Sequence, residues 1–176
     1  THGDSQISCT TPPGSGANRT LSVDISGQVA TTPISYRLPV LLPGSTSSGP
    51  TAGGTLLQLP GLDLGDSSLQ LPRSVSVNQR DCEIQSDWHN LITCRLPEGE
   101  GAGLPVSVVV DGQTSNSVPF SYLPPTISGV SPGTGPTAGG LLVRILGSNF
   151  GLNPTAKVGD ADCDRQGFAP HLSLEC

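Results

Sequence analysis

Gly135-Pro136-Thr137-Ala138-Gly139-Gly140 repeats, residue for residue, the stretch Gly49-Pro50-Thr51-Ala52-Gly53-Gly54, and the copies lie 86 positions apart. Two further landmarks keep nearly the same interval. Pro33-Ile34-Ser35-Tyr36 answers Pro119-Phe120-Ser121-Tyr122 at 86 positions, and Ile7-Ser8-Cys9-Thr10-Thr11-Pro12 answers Ile92-Thr93-Cys94-Arg95-Leu96-Pro97 at 85. One interval shared by three landmarks marks an array of modules, each about 86 residues long.

The frame is offset from the ends of the sequence. Residues 1–36 match the second half of the repeating unit, residues 37–124 form one complete unit, and residues 125–176 match the first part of another. There is no Met, and the offset reads as a stretch of a longer polypeptide. No segment of it reads as a membrane insertion, which says nothing about an anchor or leader elsewhere in the parent.

The five cysteines fit the same frame. Cys82 and Cys94 are 12 positions apart, and Cys163 and Cys176 are 13 apart, so one disulfide per module is the simple account. Cys9 aligns with Cys94, and its partner is expected upstream of the given residues. Such bonds persist in oxidising compartments, which points to a secreted protein or a cell-surface ectodomain. Reduced thiols in a cytosolic protein are the alternative, and the recurring spacing favours it less. A zinc site is weaker still: His89 lies between Cys82 and Cys94, but no Cys-x-x-Cys occurs.

Composition argues for short strands and turns. Gly (23) and Pro (17) are abundant, while Trp, Tyr and Phe number only 1, 2 and 3, which favours β-structure over helices. The hydrophobic share of 34%, carried by Leu, Val and Ile, suits small sandwich cores rather than one large core. A net charge of −6 and a single Lys leave nothing to follow a phosphate backbone, so a nucleic-acid partner is disfavoured.

Local patterning agrees. Val106, Val108 and Val110 alternate on one face and run into Asp111-Gly112, a hairpin signal. Leu21, Val23 and Ile25 alternate likewise before Ser26-Gly27, and Val75 and Val77 alternate within Ser74–Asn78. The near-continuous apolar run Leu141–Leu146 reads as a strand packed on both sides. Helical periodicity is everywhere broken by Gly or Pro. The expected fold class is all-β: tandem sandwich modules of about seven strands.

Pro125-Thr126-Ile127-Ser128-Gly129-Val130-Ser131-Pro132, then Gly135 to Gly140, then Leu141-Leu142-Val143-Arg144-Ile145-Leu146-Gly147-Ser148-Asn149-Phe150-Gly151 resembles the opening of an IPT/TIG domain. The closing half fits at Cys94, Pro97, Val106-Ser107-Val108 and Phe120-Ser121-Tyr122-Leu123-Pro124-Pro125. The resemblance implies an immunoglobulin-like sandwich of the kind carried by plexins, related receptors, fibrocystin-like proteins and some transcription factors. The complete module departs from it at Pro60-Gly61-Leu62-Asp63-Leu64-Gly65, where the Asn-Phe-Gly signature is absent, so the turn there is the uncertain feature.

Candidate chemistry is sparse. Gly129-Val130-Ser131-Pro132-Gly133 matches a nucleophile-elbow pattern. The residue after such a serine must donate its backbone N–H to an oxyanion, and Pro132 has none. Gly99-x-Gly101-x-Gly103 reads as a turn rather than a phosphate loop. Asp160, Asp162 and Asp164 could gather calcium, although solvated carboxylates explain them better. Trp88 and His89 are expected to pack half-buried in a loop, with an exposed contact point as the other reading. No catalytic residue, metal ligand or cofactor is therefore expected. Asn18-Arg19-Thr20 is an N-glycosylation sequon, whereas Asn153-Pro154-Thr155 is closed by its proline.

The expected function is a non-enzymatic structural or adhesion segment of a large secreted or cell-surface protein, including the surface of a cilium or flagellum. Its modules would form a semi-rigid rod, with other proteins or neighbouring modules as partners and glycan at Asn18. The alternative is an accessory region of a secreted carbohydrate-active enzyme, or of a ligand-binding receptor ectodomain.

Overall fold

The structure is a computed structural model and describes residues 2–3, 6–65 and 67–176. Its centre is an antiparallel sandwich. One sheet runs in the order Glu83–Trp88, Leu91–Arg95, Leu56–Leu62, Val40–Leu41. The facing sheet runs Ser48–Gly49, Val118–Tyr122, Leu104–Val110, Arg73–Val77, Arg80–Asp81, with Gln113–Thr114 paired to Leu104–Val110. Its single parallel pairing sets Ser121 opposite Ser48. Among the described residues the only helical element is the short 3-10 turn Ser67–Leu69, so the all-β reading holds.

The alternation seen in the sequence is the alternation of burial. Val106 sits opposite Val77 and Val108 opposite Val75, and all four are buried with Val110. They face Leu57, Leu59, Ile92 and Cys94 from the other sheet. Ser76 and Ser107, on the opposite side of the pleat, share a hydroxyl bond at 3.3 Å. Register is pinned by this pattern, because a one-residue slip would turn every valine outward.

Residues 6–36 and 125–176 flank this sandwich. Arg19–Ile25 and Gln28–Ile34 form a seven-pair hairpin around Ser26-Gly27, both at positive φ (54° and 86°). Asp111-Gly112 repeats that turn at 48° and 80°. Such a turn matches the strand twist and demands residues that tolerate positive φ. The two hairpins differ in burial: Ile25 is 61% exposed, while its repeat counterpart Val110 is 1% exposed. In the central sandwich the facing sheet covers the valines, and no described residue does the same for Leu21, Val23 and Ile25.

Beyond residue 125, the strands Thr126–Ser131, Arg144–Ser148, Ser173–Glu175 and Gly167–Ala169 make one sheet, and Ala156–Val158 pairs with Ala161–Cys163. The expected strand over Leu141–Leu146 is corrected here. It begins at Arg144, and Leu141 and Leu142 are exposed. Gly139 and Gly140, both at φ 77°, turn the chain in late, and Val143 exchanges backbone bonds with Cys176 at 2.7 and 3.0 Å.

Candidate functional site

The repeat is legible at atomic detail, and that detail builds the junctions between modules. In the central sandwich the Tyr122 hydroxyl donates to the Pro97 carbonyl at 2.9 Å, and the Tyr122 N–H donates to the Gly101 carbonyl at 2.9 Å. In residues 6–36 the Tyr36 hydroxyl donates to the Pro12 carbonyl at 2.9 Å and its N–H to Gly16 at 3.0 Å. Gly14 and Gly99 lie under these rings, where an added Cβ would strike the phenol at 2.5 and 2.6 Å. Each tyrosine thus pins the loop that leaves its cysteine strand, and that loop is the surface that meets the next module.

Tyr122 yields a direct prediction. Burial raises its phenol above the ordinary value near 10, opposed by Arg80 and reinforced by Glu98. A folded value above the unfolded one means a contribution fully present below about pH 10 and lost as pH climbs through the folded value. Tyr122→Phe also strands the Pro97 carbonyl and is expected to cost about 1 kcal/mol near neutrality. Urea melts of both proteins at pH 7 and pH 11 check this: the gap between them should narrow at the higher pH.

The uncertain turn of the central module keeps the geometry of its counterpart. Asp63 and Gly65 sit at φ 55° and 84°, and Asn149 and Gly151, 86 positions on, at 57° and 72°. Leu64 donates its N–H to the His89 carbonyl at 3.2 Å, as Phe150 does to the His171 carbonyl at 3.3 Å. Asp replaces Asn because both adopt the left-handed conformation at low cost. The turn therefore survives the loss of the signature.

At the second junction this corner reaches back across Leu123-Pro124-Pro125. Asn149 Oδ1 accepts the Thr51 N–H at 3.3 Å, and His171 Nδ1 lies 2.9 Å from the Thr51 hydroxyl. Glu100 Oε2 accepts the N–H groups of Leu152 and Asn153 at 2.7 and 3.1 Å. His171, 12% exposed, also places Nε2 at 3.7 Å from Glu98. Carboxylate bonds to backbone N–H groups are charge-assisted and stronger than neutral ones.

The first junction is assembled differently. Asp111, in the hairpin turn of the central module, accepts the Ser15 hydroxyl at 3.0 Å and pairs with Arg19. Gln113 accepts the Gly16 N–H at 3.1 Å and donates to the Tyr36 carbonyl at 3.3 Å. A cleft of about 310 Å³ lies beside these contacts, lined by Ser15, Tyr36, Arg37, Asp63, Gly65 and His89 among others.

The residues singled out in the sequence are spread over the molecule rather than gathered into one pocket. Cys82 bonds to Cys94 (S–S 2.14 Å) across the two sheets, and Cys163 to Cys176 (2.13 Å). Cys9 is exposed and unbonded. Asn18 is exposed at φ 54°, its N–H held by the Ser35 hydroxyl at 3.0 Å, as Gly103 is held by Ser121 at 3.0 Å. Trp88 is 65% exposed at the end of its strand, which overturns the expectation of half-buried packing. Its side chain stands on the outer face of the sheet, away from the core. Asp162 pairs with Lys157 at 3.1 Å, and among the described residues no three His, Cys, Asp or Glu side chains converge on a metal position. Glu100 and His171 look like ordinary loop residues in the sequence, and Asn149 reads there only as part of the turn signature. At Glu100 and Asn149 the signal is difference within the repeat: Ser15 stands at the place of Glu100, and Asp63 at that of Asn149.

The IPT/TIG domain family model matches residues 39–122 and 125–174. Fibrocystin-L of Mus musculus is 31% identical over 135 residues, covering 72% of this chain and 3% of that protein. Plexin-2 of Caenorhabditis elegans is 35% identical over 115 residues, 62% of this chain and 6% of that one. Plexin-B3 of Homo sapiens is 31% identical over 124 residues, 66% of this chain and 6% of that one. The sequence thus spans only a few per cent of the length of these relatives. Among solved structures, the full extracellular region of plexin A4 aligns at a TM-score of 0.47 with 19% identity, covering 88% of this chain and 14% of that one.

Proposed function

The chain belongs to the IPT/TIG domain family, and from that membership we propose that it is a non-enzymatic spacer and contact segment in an extracellular array. The modules would be residues 37–124, complete, flanked by the C-terminal half of one unit in 1–36 and the N-terminal part of another in 125–176. The observation that carries this reading is the pair of junctions. Each is short and crossed by polar bonds, and the second also holds prolines at positions 124 and 125. Proline fixes backbone φ, and crossing bonds oppose bending, so the array would act as a semi-rigid rod. Its partners would be other proteins and adjoining modules.

The disulfides and the family fit a place outside the cell or on its surface. Glycan on Asn18 would stand beside the first junction, next to Arg19. Cys9 takes the place of Cys94, so its bond would go to a cysteine about a dozen residues earlier in the parent.

Small-angle scattering of the chain, with mass-spectrometric mapping of the unreduced parent protein, tests the proposal. One extended conformation, bonds at Cys82–Cys94 and Cys163–Cys176, and glycan at Asn18 are expected. A scattering curve that needs a broad spread of junction angles would sink the rod. Free thiols with a bare Asn18 would remove the extracellular setting.

A further inference from the structure

The two junctions carry opposite charge arrangements. On the exit loop of the central module, Glu98 and Glu100 flank Gly99; 85 positions earlier, Pro13 and Ser15 flank Gly14. The corner that meets the glutamates carries Asn149, and the corner that shares the cleft with Ser15 carries Asp63. An acidic exit faces a neutral corner at the second junction, whereas at the first a neutral exit shares its cleft with Asp63 and bonds the carboxylate of Asp111.

We propose that this reciprocal placement is a charge-matched code for module order. The surface formed by Thr51, Glu98 and Glu100 is a docking site for a module corner bearing a neutral Asn and a nearby His, and it rejects a corner bearing Asp. The proposal rests on the array reading above and adds which module can follow which.

The geometry supplies the reason. Glu100 already accepts two N–H groups from the loop after Gly151, and its side chain packs on Gly151, two residues from Asn149. Glu98 approaches His171, while its backbone carbonyl accepts Arg80 Nη1 at 3.1 Å. Asn149 needs only its amide oxygen to accept the Thr51 N–H, which an Asp oxygen could also do. Asp would therefore keep the bond and add a third carboxylate to the site. Specificity of this sort works by raising the cost of the wrong partner rather than by improving the right one. At the first junction Asp63 meets no glutamate from the exit loop, and the Ser15 hydroxyl is free to bond Asp111.

Amide hydrogen exchange on the full chain reads the second junction at Leu152 and Asn153, whose N–H groups Glu100 holds. Asn149→Asp is expected to speed exchange at both by about tenfold at low salt, with Ile145 in the neighbouring sheet unchanged. Adding salt, or Glu98→Gln in the same chain, should recover most of the protection. Exchange at the wild-type rate overturns the code, and so does a rise that neither salt nor Glu98→Gln reverses.

Should Ile145 also exchange faster, the first junction decides. Ser15→Glu puts a carboxylate against Asp111 and is expected to release the Gly16 amide, and added salt to restore it in part; no restoration overturns the proposal. A single extended wild-type conformation with an unaffected Asn149→Asp variant would remove the code and leave the rod. A wild-type scattering curve demanding many junction angles would remove the rod itself.

Discussion

Phe120→Ala is expected to lower the stability of the central sandwich by about 3–5 kcal/mol, a large part of what a domain of this size has. Phe120 is wholly buried and is among the largest fully buried side chains of the core. Its ring meets Tyr122 edge to face, with centroids 5.2 Å apart and planes at 87°, a contact worth about 0.5–1.5 kcal/mol beyond the buried area. Within its own sheet it abuts Gly49 of the neighbouring strand, where even an added Cβ would meet the ring at 3.3 Å and Leu96 at 2.6 Å, so the surroundings are already close-packed. Truncation would therefore leave a cavity rather than a collapsed core. Ile34 stands at the same place in the repeat and is 38% exposed, so Ile34→Ala should cost less than half as much. Urea unfolding of the two variants, followed by Tyr and Trp fluorescence, checks the contrast. Equal losses would mean that residues 19–34 bury their inner face in solution after all.

Removing the Cys82–Cys94 bond is the second large effect. The bond closes a short loop, with the cysteines 12 positions apart, and the chain-entropy account assigns it about 3 kcal/mol. Both cysteines are buried in the core beside Ile92 and Leu96, so Cys82→Ala with Cys94→Ala adds a small packing loss. The double variant should unfold at a distinctly lower urea concentration with a slope no smaller than the wild type's, because the unfolded chain without the bond exposes at least as much surface. The Cys163–Cys176 bond closes a loop of nearly equal length, with its cysteines 13 positions apart. Chain entropy therefore predicts a comparable loss there, and packing a smaller one, since Cys163 lies only part-buried. If the Cys82 variant melted like the wild type, the bond would be holding nothing that the sheets do not already hold.

Much of the fold was legible because it depends on period and on backbone chemistry. Val106, Val108 and Val110 alternate, and a strand's side chains must alternate with them. Asp111-Gly112 and Ser26-Gly27 mark turns because few other pairs tolerate two successive positive φ angles. The strand over Leu141–Leu146 was misplaced for a related reason. An apolar run states a preference for burial but carries no information about whether a second sheet is there to provide it. Trp88 shows the same gap from the other side. Its hydrophobicity suggested packing, and its position at the end of a strand, on the outer face, decided otherwise.

The sequence by itself determined that this protein is a tandem array of β-modules with paired cysteines, because one interval recurs in its turns, its cysteines and its alternating apolar residues. Only the tertiary structure decided what the modules do to one another. Asp63 and Asn149 adopt the same turn, and nothing local distinguishes their roles. Their difference acquires meaning through Thr51, Glu98 and Glu100, which lie about 50 to 100 positions from Asn149 in the chain and come within bonding reach of its module only where the two modules meet. Local propensity is set by neighbours in sequence, whereas a junction is set by neighbours in space.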